Sequence, residues 1–346
     1  MTQETLKDVQ NYYGNVLESN EDLKTSACCI SESPPEYLRS LISNVHETVQ
    51  SKFYGCGSPI PAALEGCTVL DLGCGTGRDA YVLSQLVGEN GSVIGLDMTT
   101  EQLSVANQYV GWHMDKFGYK QANVEFKHGY IEDLKQAGIQ DSSIDLIISN
   151  CVINLSPAKE SVFSEIIRVL KPGGELYFSD VFSGQRIPEH LKKDKVLYGE
   201  CLSGAMYTED FRRMMTRLAI PDTRVVNKRL LTLNDPELFK KAGMIDFYSM
   251  TIRAFKVGLE DICENFGHVA YYNGSIAQAP HQFMLDDHHV FKTGMPVPVC
   301  GNTANMLSGS RFGSHFTIEG DFSTHYGPFD CTTAPDTNEI SNAGCC

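Results

Sequence analysis

The chain has 346 residues, 42% of them hydrophobic, and 43 acidic against 28 basic residues give it a formal net charge of −15. That composition supports a sizeable core with attachments, and its acidity excludes phosphate-backbone binding, which needs clustered lysine and arginine. No apolar run is long enough to span a membrane and the polar first thirty residues carry no secretory signal, so we expect a cytoplasmic monomer that binds neither nucleic acid nor membrane.

Residues 1–58 precede the first expected strand. Pro34-Pro35 opens a helix whose apolar positions Leu38, Leu41, Ile42, Val45 and Val49 follow helical spacing. It stops at the loop Phe53-Tyr54-Gly55-Cys56-Gly57, so an N-terminal helical lid is expected. Residues 59–180 then alternate strands and helices. Val69–Leu72 is an apolar strand, a glycine loop follows, and Asp79–Val87 reads as a helix. Ser92–Leu96 is a second strand closing on Asp97, and one helix is expected from Thr99-Thr100 towards Phe117. Val124–Lys127 is a third strand and Ile144–Ser149 a fourth, apolar enough to lie centrally in a parallel sheet. A helix over Ala158–Leu170, a Lys171-Pro172-Gly173-Gly174 turn and a fifth strand, Glu175–Ser179, complete a doubly wound α/β pattern.

In residues 181–258, Arg224–Leu233 and Phe247–Val257 read as an antiparallel hairpin that finishes the sheet. Residues 259–319, with strands at Val269–Asn273 and Phe283–Phe291 and little helical periodicity, suggest a small α+β appendage. His288-His289 beside Asp286-Asp287 invites a metal reading, but alternation along a strand would point neighbours to opposite faces. Residues 320–346 are rich in Gly, Ser, Thr, Asp and Pro, end in Cys345-Cys346, and are expected to be a disordered, cysteine-containing tail.

The loop Asp71-Leu72-Gly73-Cys74-Gly75-Thr76-Gly77 decides the class of ligand. Glycines between a strand and a helix let backbone approach a nucleoside closely. Their spacing is not that of dinucleotide enzymes. With an acid two residues before the first glycine, the loop resembles motif I of class I S-adenosylmethionine (SAM) methyltransferases, and the K-P-G-G turn resembles the same family. The resemblance implies a seven-stranded Rossmann-like sheet with SAM as methyl donor. Asp71 would hold the methionine ammonium, and Gly73, Cys74, Gly75 and Gly77 would form the loop around the donor. Asp97 would accept the ribose hydroxyls, and its removal is expected to cost SAM affinity while sparing the fold. Met98, Ile131 and Glu132 would face adenine, because Tyr130 stands where many members carry an acid. Asn150 closes the fourth strand beside the donor, and Tyr54 would lean on the sulfonium or simply pack.

In a reducing compartment twelve cysteines point to metal, metalloid or redox chemistry rather than a disulfide framework. Cys28, Cys56, Cys151 and Cys201 stand where core packing alone would not put them, although any one of them could be a small buried hydrophobe. Cys67 and Cys74 are read as packing residues. Lys24-Thr25-Ser26-Ala27-Cys28, Tyr54-Gly55-Cys56-Gly57, Ser149-Asn150-Cys151-Val152-Ile153-Asn154 and Gly199-Glu200-Cys201-Leu202 resemble, in order, landmarks of the arsenite methyltransferase family. This resemblance implies methylation of arsenite to mono-, di- and even trimethylated species, serving arsenic detoxification. Cys56, Cys151 and Cys201 would ligate trivalent arsenic, Cys28 would pair with Cys56, and a glutathione- or thioredoxin-type thiol would reset the enzyme. Two other functions compete: a SAM methyltransferase for a small organic acceptor, and a non-catalytic thiol protein binding metalloid or zinc.

Overall fold

The computed structural model describes residues 34–53, 59–192, 194, 197, 201–233 and 236–331. Two short helices come first, α1 (Glu36–Ser43) and α2 (Glu47–Ser51). The single helix expected there breaks at Asn44–His46, where the His46 ring accepts from the Thr48 amide and caps the second piece. Leu38 and Val49 on the two helices, and Val45 in the break between them, are buried in the cluster that contains Val69, Tyr81 and Leu83.

The Rossmann-like core runs β1 (Thr68–Leu72), α3 (Arg78–Val87), β2 (Ser92–Asp97), α4 (Thr100–Gln108), α5 (Val110–Phe117), β3 (Val124–His128), β4 (Ile144–Asn150), α6 (Lys159–Val169) and β5 (Leu170–Ser183). The helix expected over Thr100–Phe117 is thus two helices, interrupted at Tyr109, whose φ of −104° leaves the helical range. There follow α7 (Glu189–Lys192), β6 (Met206–Tyr207), α8 (Thr208–Arg217), β7 (Thr223–Leu230), α9 (Pro236–Ala242) and β8 (Phe247–Phe255). Strand order is β3-β2-β1-β4-β5-β8-β7, with the two-residue β6 beside β5. The first five strands are parallel, and β8 runs antiparallel to β5 and β7. This is the seven-stranded class I path, and its reversal of strand order at β1/β4 opens a crevice at the carboxyl edge where open α/β sheets bind ligands.

The appendage contains β9 (His268–Tyr272), the hairpin β10 (Gln282–Met284) and β11 (Val290–Lys292), β12 (Pro296–Val299), α10 (Gly301–Ser308) and β13 (Phe316–Glu319). A three-stranded sheet, β12-β9-β13, packs Tyr272, Phe283, Phe291 and Phe312 into its own core. Buried charges join it to the main sheet. Glu175 on β5 accepts from Arg253 at 2.5 Å and also pairs with Arg311, while Arg253 reaches the Leu285 carbonyl. The expected single strand Phe283–Phe291 is a hairpin because Asp286 turns the chain, accepting the amides of His288 and His289. Asp286 also holds the His289 ring at 2.7 Å and pairs with Arg224, so these residues build a turn and an inter-domain tie.

The tail does not begin at Gly320 as expected. The amides of Tyr326 and Phe329 donate to the carbonyls of Asn265 and Cys263, Glu264 bridges Pro328, and the Phe322 ring packs on Phe266 and His268. Residues 332–346, with Cys345 and Cys346, lie outside the described residues. No described helix is long and apolar enough to cross a membrane.

Candidate functional site

At the carboxyl edge of β1, β2 and β4 lies an open cavity. Asp71, Gly73, Cys74, Gly75, Asp97, Met98, Ile131, Glu132, Asn150 and Cys151 all line it. Position explains the set: each of these residues ends a parallel strand or stands just beyond one. Gly75 has a φ of 53° and open space where a Cβ would be, so the loop leaves room for a ligand to approach its backbone. Gly73 is needed for packing, since a Cβ there would run into the Val152 side chain. Gly77 was expected to touch the cofactor but is absent from the lining. It is the left-handed N-cap of α3, and a Cβ would sit 2.6 Å from the Phe126 ring.

Asp97 joins the β2 end to the glycine loop. Its Oδ2 accepts the Gly75 amide at 2.9 Å and its Oδ1 the Thr99 amide at 2.8 Å. Burial raises its pKa and these two bonds oppose the shift. The carboxylate thus also ties two backbone segments together, which bears on the expectation that its removal spares the fold.

Asp71 is only 3% exposed, and its Oδ2 has no hydrogen-bond partner. Burial pushes its carboxyl well above the usual carboxylate range, and the charges of Asp79 and Asp97 add to the shift. Asp79, a lining residue that the sequence reading missed, holds Arg78 at 2.5 Å and accepts from the Asn150 amide at 3.3 Å. The Arg78 guanidinium in turn lies 3.1 Å from the Phe53 ring centroid. An acid on the first turn after the glycine loop was the available signal. Three carboxylates around one cavity, two of them buried, repel one another, and a cation placed among them reverses that cost. SAM carries a sulfonium and an ammonium against one carboxylate, so the orphaned Asp71 oxygen, the open glycine loop and Asp97 fit it.

The N-terminal segment reaches this cavity through Lys52 and Phe53. Thr76 in the glycine loop donates to the Val49 carbonyl at 2.9 Å, and the His46 amide donates to His113 Nε2 at 3.1 Å. At the other end Tyr130 joins Ile131 and Glu132, and Ser156 donates to Glu132 at 2.5 Å.

Cys151 follows β4 with a φ of 57°, its amide bonded to the Ser179 carbonyl. Cys201 has a φ of 61°, is fully buried, and donates its thiol to the Cys151 carbonyl at 3.5 Å. It belongs to the apolar cluster behind Cys151 and does not line the cavity. Lys159 lies behind it: burial lowers its pKa to about 8, while Asp180 and Cys201 pull the other way. Asp180 is itself pushed up to about 7 by burial, against hydrogen bonds from Val181 and Asn154. Cys74 lines the cavity, but burial, Asp97 and Asp71 hold its thiol protonated. Cys151 is disulfide-bonded in the structure. Cys28, Tyr54 and Cys56 lie outside the described residues.

An acid-lined crevice at the switch point of this strand order, closed by a glycine loop on one side and an aspartate on the next strand, defines a class I SAM-dependent methyltransferase. A methyltransferase domain model matches residues 63–218, and an arsenite methyltransferase C-terminal domain model matches residues 267–343. The arsenite methyltransferase of Aquipseudomonas alcaligenes is 54% identical over 325 residues, covering 94% of this chain and 93% of that protein. The human arsenite methyltransferase is 46% identical over 319 residues, covering 91% and 84%. A crystal structure of an arsenic(III) SAM methyltransferase from Chlamydomonas reinhardtii superposes with a TM-score of 0.84 at 50% identity, covering 86% of this chain and all of that one. The chain belongs to the arsenite methyltransferase family.

Proposed function

We propose that this chain holds trivalent arsenic on Cys56, Cys151 and Cys201 while methylating it, and that Cys28 and Cys56 serve the redox half of the cycle. The reading rests on Cys151 and Cys201, two left-handed cysteines that meet at the carboxyl edge of β4 beside the acid-lined cavity. Trivalent arsenic is soft, so thiolates displace its hydroxyls as water. Three sulfur ligands leave its lone pair pointing away from them, as the nucleophile. Bound SAM supplies the electrophilic methyl group on a cationic sulfur. Asp71 takes the methionine ammonium and Asp97 the ribose, and the β4 end sets the arsenic beside the methyl group, so the protein contributes orientation. No proton leaves arsenic in the transfer, which is why no general base is required.

Lys159 brings a positive charge that interacts with Cys201. Transfer formally oxidises arsenic by two electrons. Two cysteine thiols return it to the trivalent state by giving up two electrons and two protons as a disulfide. A glutathione- or thioredoxin-type thiol then reduces that disulfide. The oxidised state of Cys151 supports a place for such a thiol, since a disulfide sulfur cannot ligate arsenic until reduced.

Each methyl occupies one arsenic valence, so monomethylated arsenic holds only two protein thiolates. Cys151 and Cys201 are those two. The test uses purified protein, a thiol, labelled SAM, and either arsenite or monomethylarsonous acid, with products separated by arsenic speciation. Serine at Cys151 or Cys201 abolishes turnover of both substrates, and serine at Cys28 or Cys56 chiefly that of arsenite. Loss of monomethylarsonous acid turnover in Cys28→Ser or Cys56→Ser overturns this division.

A further inference from the structure

Outside the cavity, three free cysteines of the appendage converge: the sulfurs of Cys263, Cys300 and Cys331 all lie within 4.8 Å of one another. We propose that they form a second, three-thiolate site for trivalent arsenic, separate from the methylation centre and independent of its ligand assignment.

The backbone builds this convergence. Cys263 lies on the segment leading into β9, and its carbonyl accepts the Phe329 amide at 2.7 Å. The Glu264–Pro328 bridge and the Asn265–Gly327 hydrogen bond continue that pairing, which carries Cys331 alongside Cys263. Cys300 caps α10, accepting the Thr303 amide on its sulfur at 3.4 Å, and the next amide, Gly301, donates to the Glu264 carbonyl at 2.9 Å. Three separate segments are thus tied through residues 263–265. None of the three cysteines lines the cavity at β1 and β4.

The electrostatics suit a thiolate. Arg224 on β7 points a guanidinium nitrogen at the Cys300 sulfur from 3.9 Å, and the Thr303 hydroxyl lies 3.3 Å from it. Cys300 is fully buried, yet hydrogen bonding from Cys263, with help from Thr303 and Arg224, holds its thiol well below the ordinary range. Three thiols displace the three hydroxyls of arsenous acid. Three As–S bonds form, three As–O and three S–H bonds break, and three waters leave carrying the thiol protons. No electron moves.

The ligand count separates arsenic from zinc. Structural zinc takes four ligands, and among the described residues no fourth His, Cys, Asp or Glu joins this group. His268 is buried, its Nδ1 has no hydrogen-bond partner, and its charge interacts with Cys300, but its ring is outside the cluster. Trivalent arsenic is satisfied by three sulfurs and can turn its lone pair to the side where Cys263 and Cys331 are half-exposed.

The test is arsenite binding to the full chain carrying Cys151→Ser and Cys201→Ser, reduced with a phosphine, with bound arsenic counted after gel filtration and its ligands read by X-ray absorption. Arsenic coordinated by three sulfurs is expected, and adding Cys263→Ser and Cys331→Ser should remove about one atom per chain. In the otherwise unaltered enzyme the same pair of serines leaves the methylation rate constant unchanged. Should the serine pair misfold, arsenite protection of Cys263, Cys300 and Cys331 against alkylation, mapped by peptide mass, gives the same answer in the unaltered chain. Undiminished binding in the serine pair, absence of protection, or a zinc ion that arsenite fails to displace overturns the proposal.

Discussion

Replacing Asp97 tests how one carboxylate serves two purposes. Its oxygens take the Gly75 and Thr99 amides at 2.9 and 2.8 Å, and its remaining lone pairs face the cavity. A hydrogen bond to a charged group is worth about 1.5–3 kcal/mol, so losing the ribose acceptor should weaken SAM binding roughly ten- to hundredfold. Asp97→Ala also strands two amides, at about 1–3 kcal/mol each if water does not replace the carboxylate. Asp97→Asn keeps one acceptor oxygen but turns an NH₂ towards the other amide, so it should lose comparable affinity and about half as much stability as Asp97→Ala. Calorimetric titration with S-adenosylhomocysteine reads the first effect and thermal unfolding without ligand the second. Unchanged affinity in both variants would remove Asp97 from the ribose site. Unchanged melting in Asp97→Ala would show that the two backbone bonds carry nothing.

Two further predictions concern the attachments. His113 takes the His46 amide on Nε2 and holds the Tyr109 carbonyl with Nδ1 at 2.7 Å, an arrangement that needs the neutral ring. Burial lowers its pKa from 6.5 to about 4, so the folded chain binds fewer protons than the unfolded one across that interval. Stability is fully present above pH 6.5 and is lost as pH falls towards 4; the drop in melting temperature between pH 7 and pH 4.5 should therefore shrink in His113→Phe, and an unaltered drop would refute the assignment. Truncation after Cys331 should leave melting and maximal methylation rate unchanged, whereas truncation after Glu319 should lower the melting temperature, because it strips Phe322 from Phe266 and the 326–329 segment from residues 263–265; equal melting of the two would show that this segment contributes nothing.

The parallel core was legible because burial on both faces writes itself into sequence as apolar runs, such as Ile144–Ser149, closed by glycines or acids. Breaks inside helices were not. Leu38, Leu41, Ile42, Val45 and Val49 keep helical spacing across the break at Asn44–His46, and the cap that restarts the chain is a histidine ring rather than a recognised capping residue. The appendage helix Gly301–Ser308 escaped notice for a related reason: its N-cap acceptor is the Cys300 sulfur. β5 was cut short because Lys171-Pro172-Gly173-Gly174 has turn chemistry, yet the strand passes through it, and the Gly173 amide still bonds to the Lys256 carbonyl. In the cavity, strand-end residues were visible by position, while Asp79 was hidden on a helix. Cys263, Cys300 and Cys331 carry no short-range spacing signal, since tertiary pairing alone brings them together.

Backbone conformation adds what a family landmark cannot. Among the described residues only Ala63, Ser142, Cys151, Cys201 and Ala219 combine a side chain with a positive φ. The left-handed region costs a residue with a Cβ roughly 1–2 kcal/mol, and glycine would avoid that cost at either cysteine. Ala63 and Ala219 are not buried, whereas both cysteines are. Holding both cysteines there requires over-determined surroundings: the Cys151 amide is pinned to the β5 carbonyl of Ser179, and Cys201 is locked in an apolar cluster against the Cys151 carbonyl. Two strained thiols at one sheet edge, beside a cavity lined with acids, are the observation that motivates the arsenic-ligand proposal. Cys74 also faces the cavity, but burial and two neighbouring aspartates push its thiol pKa up, so that proposal leaves it out.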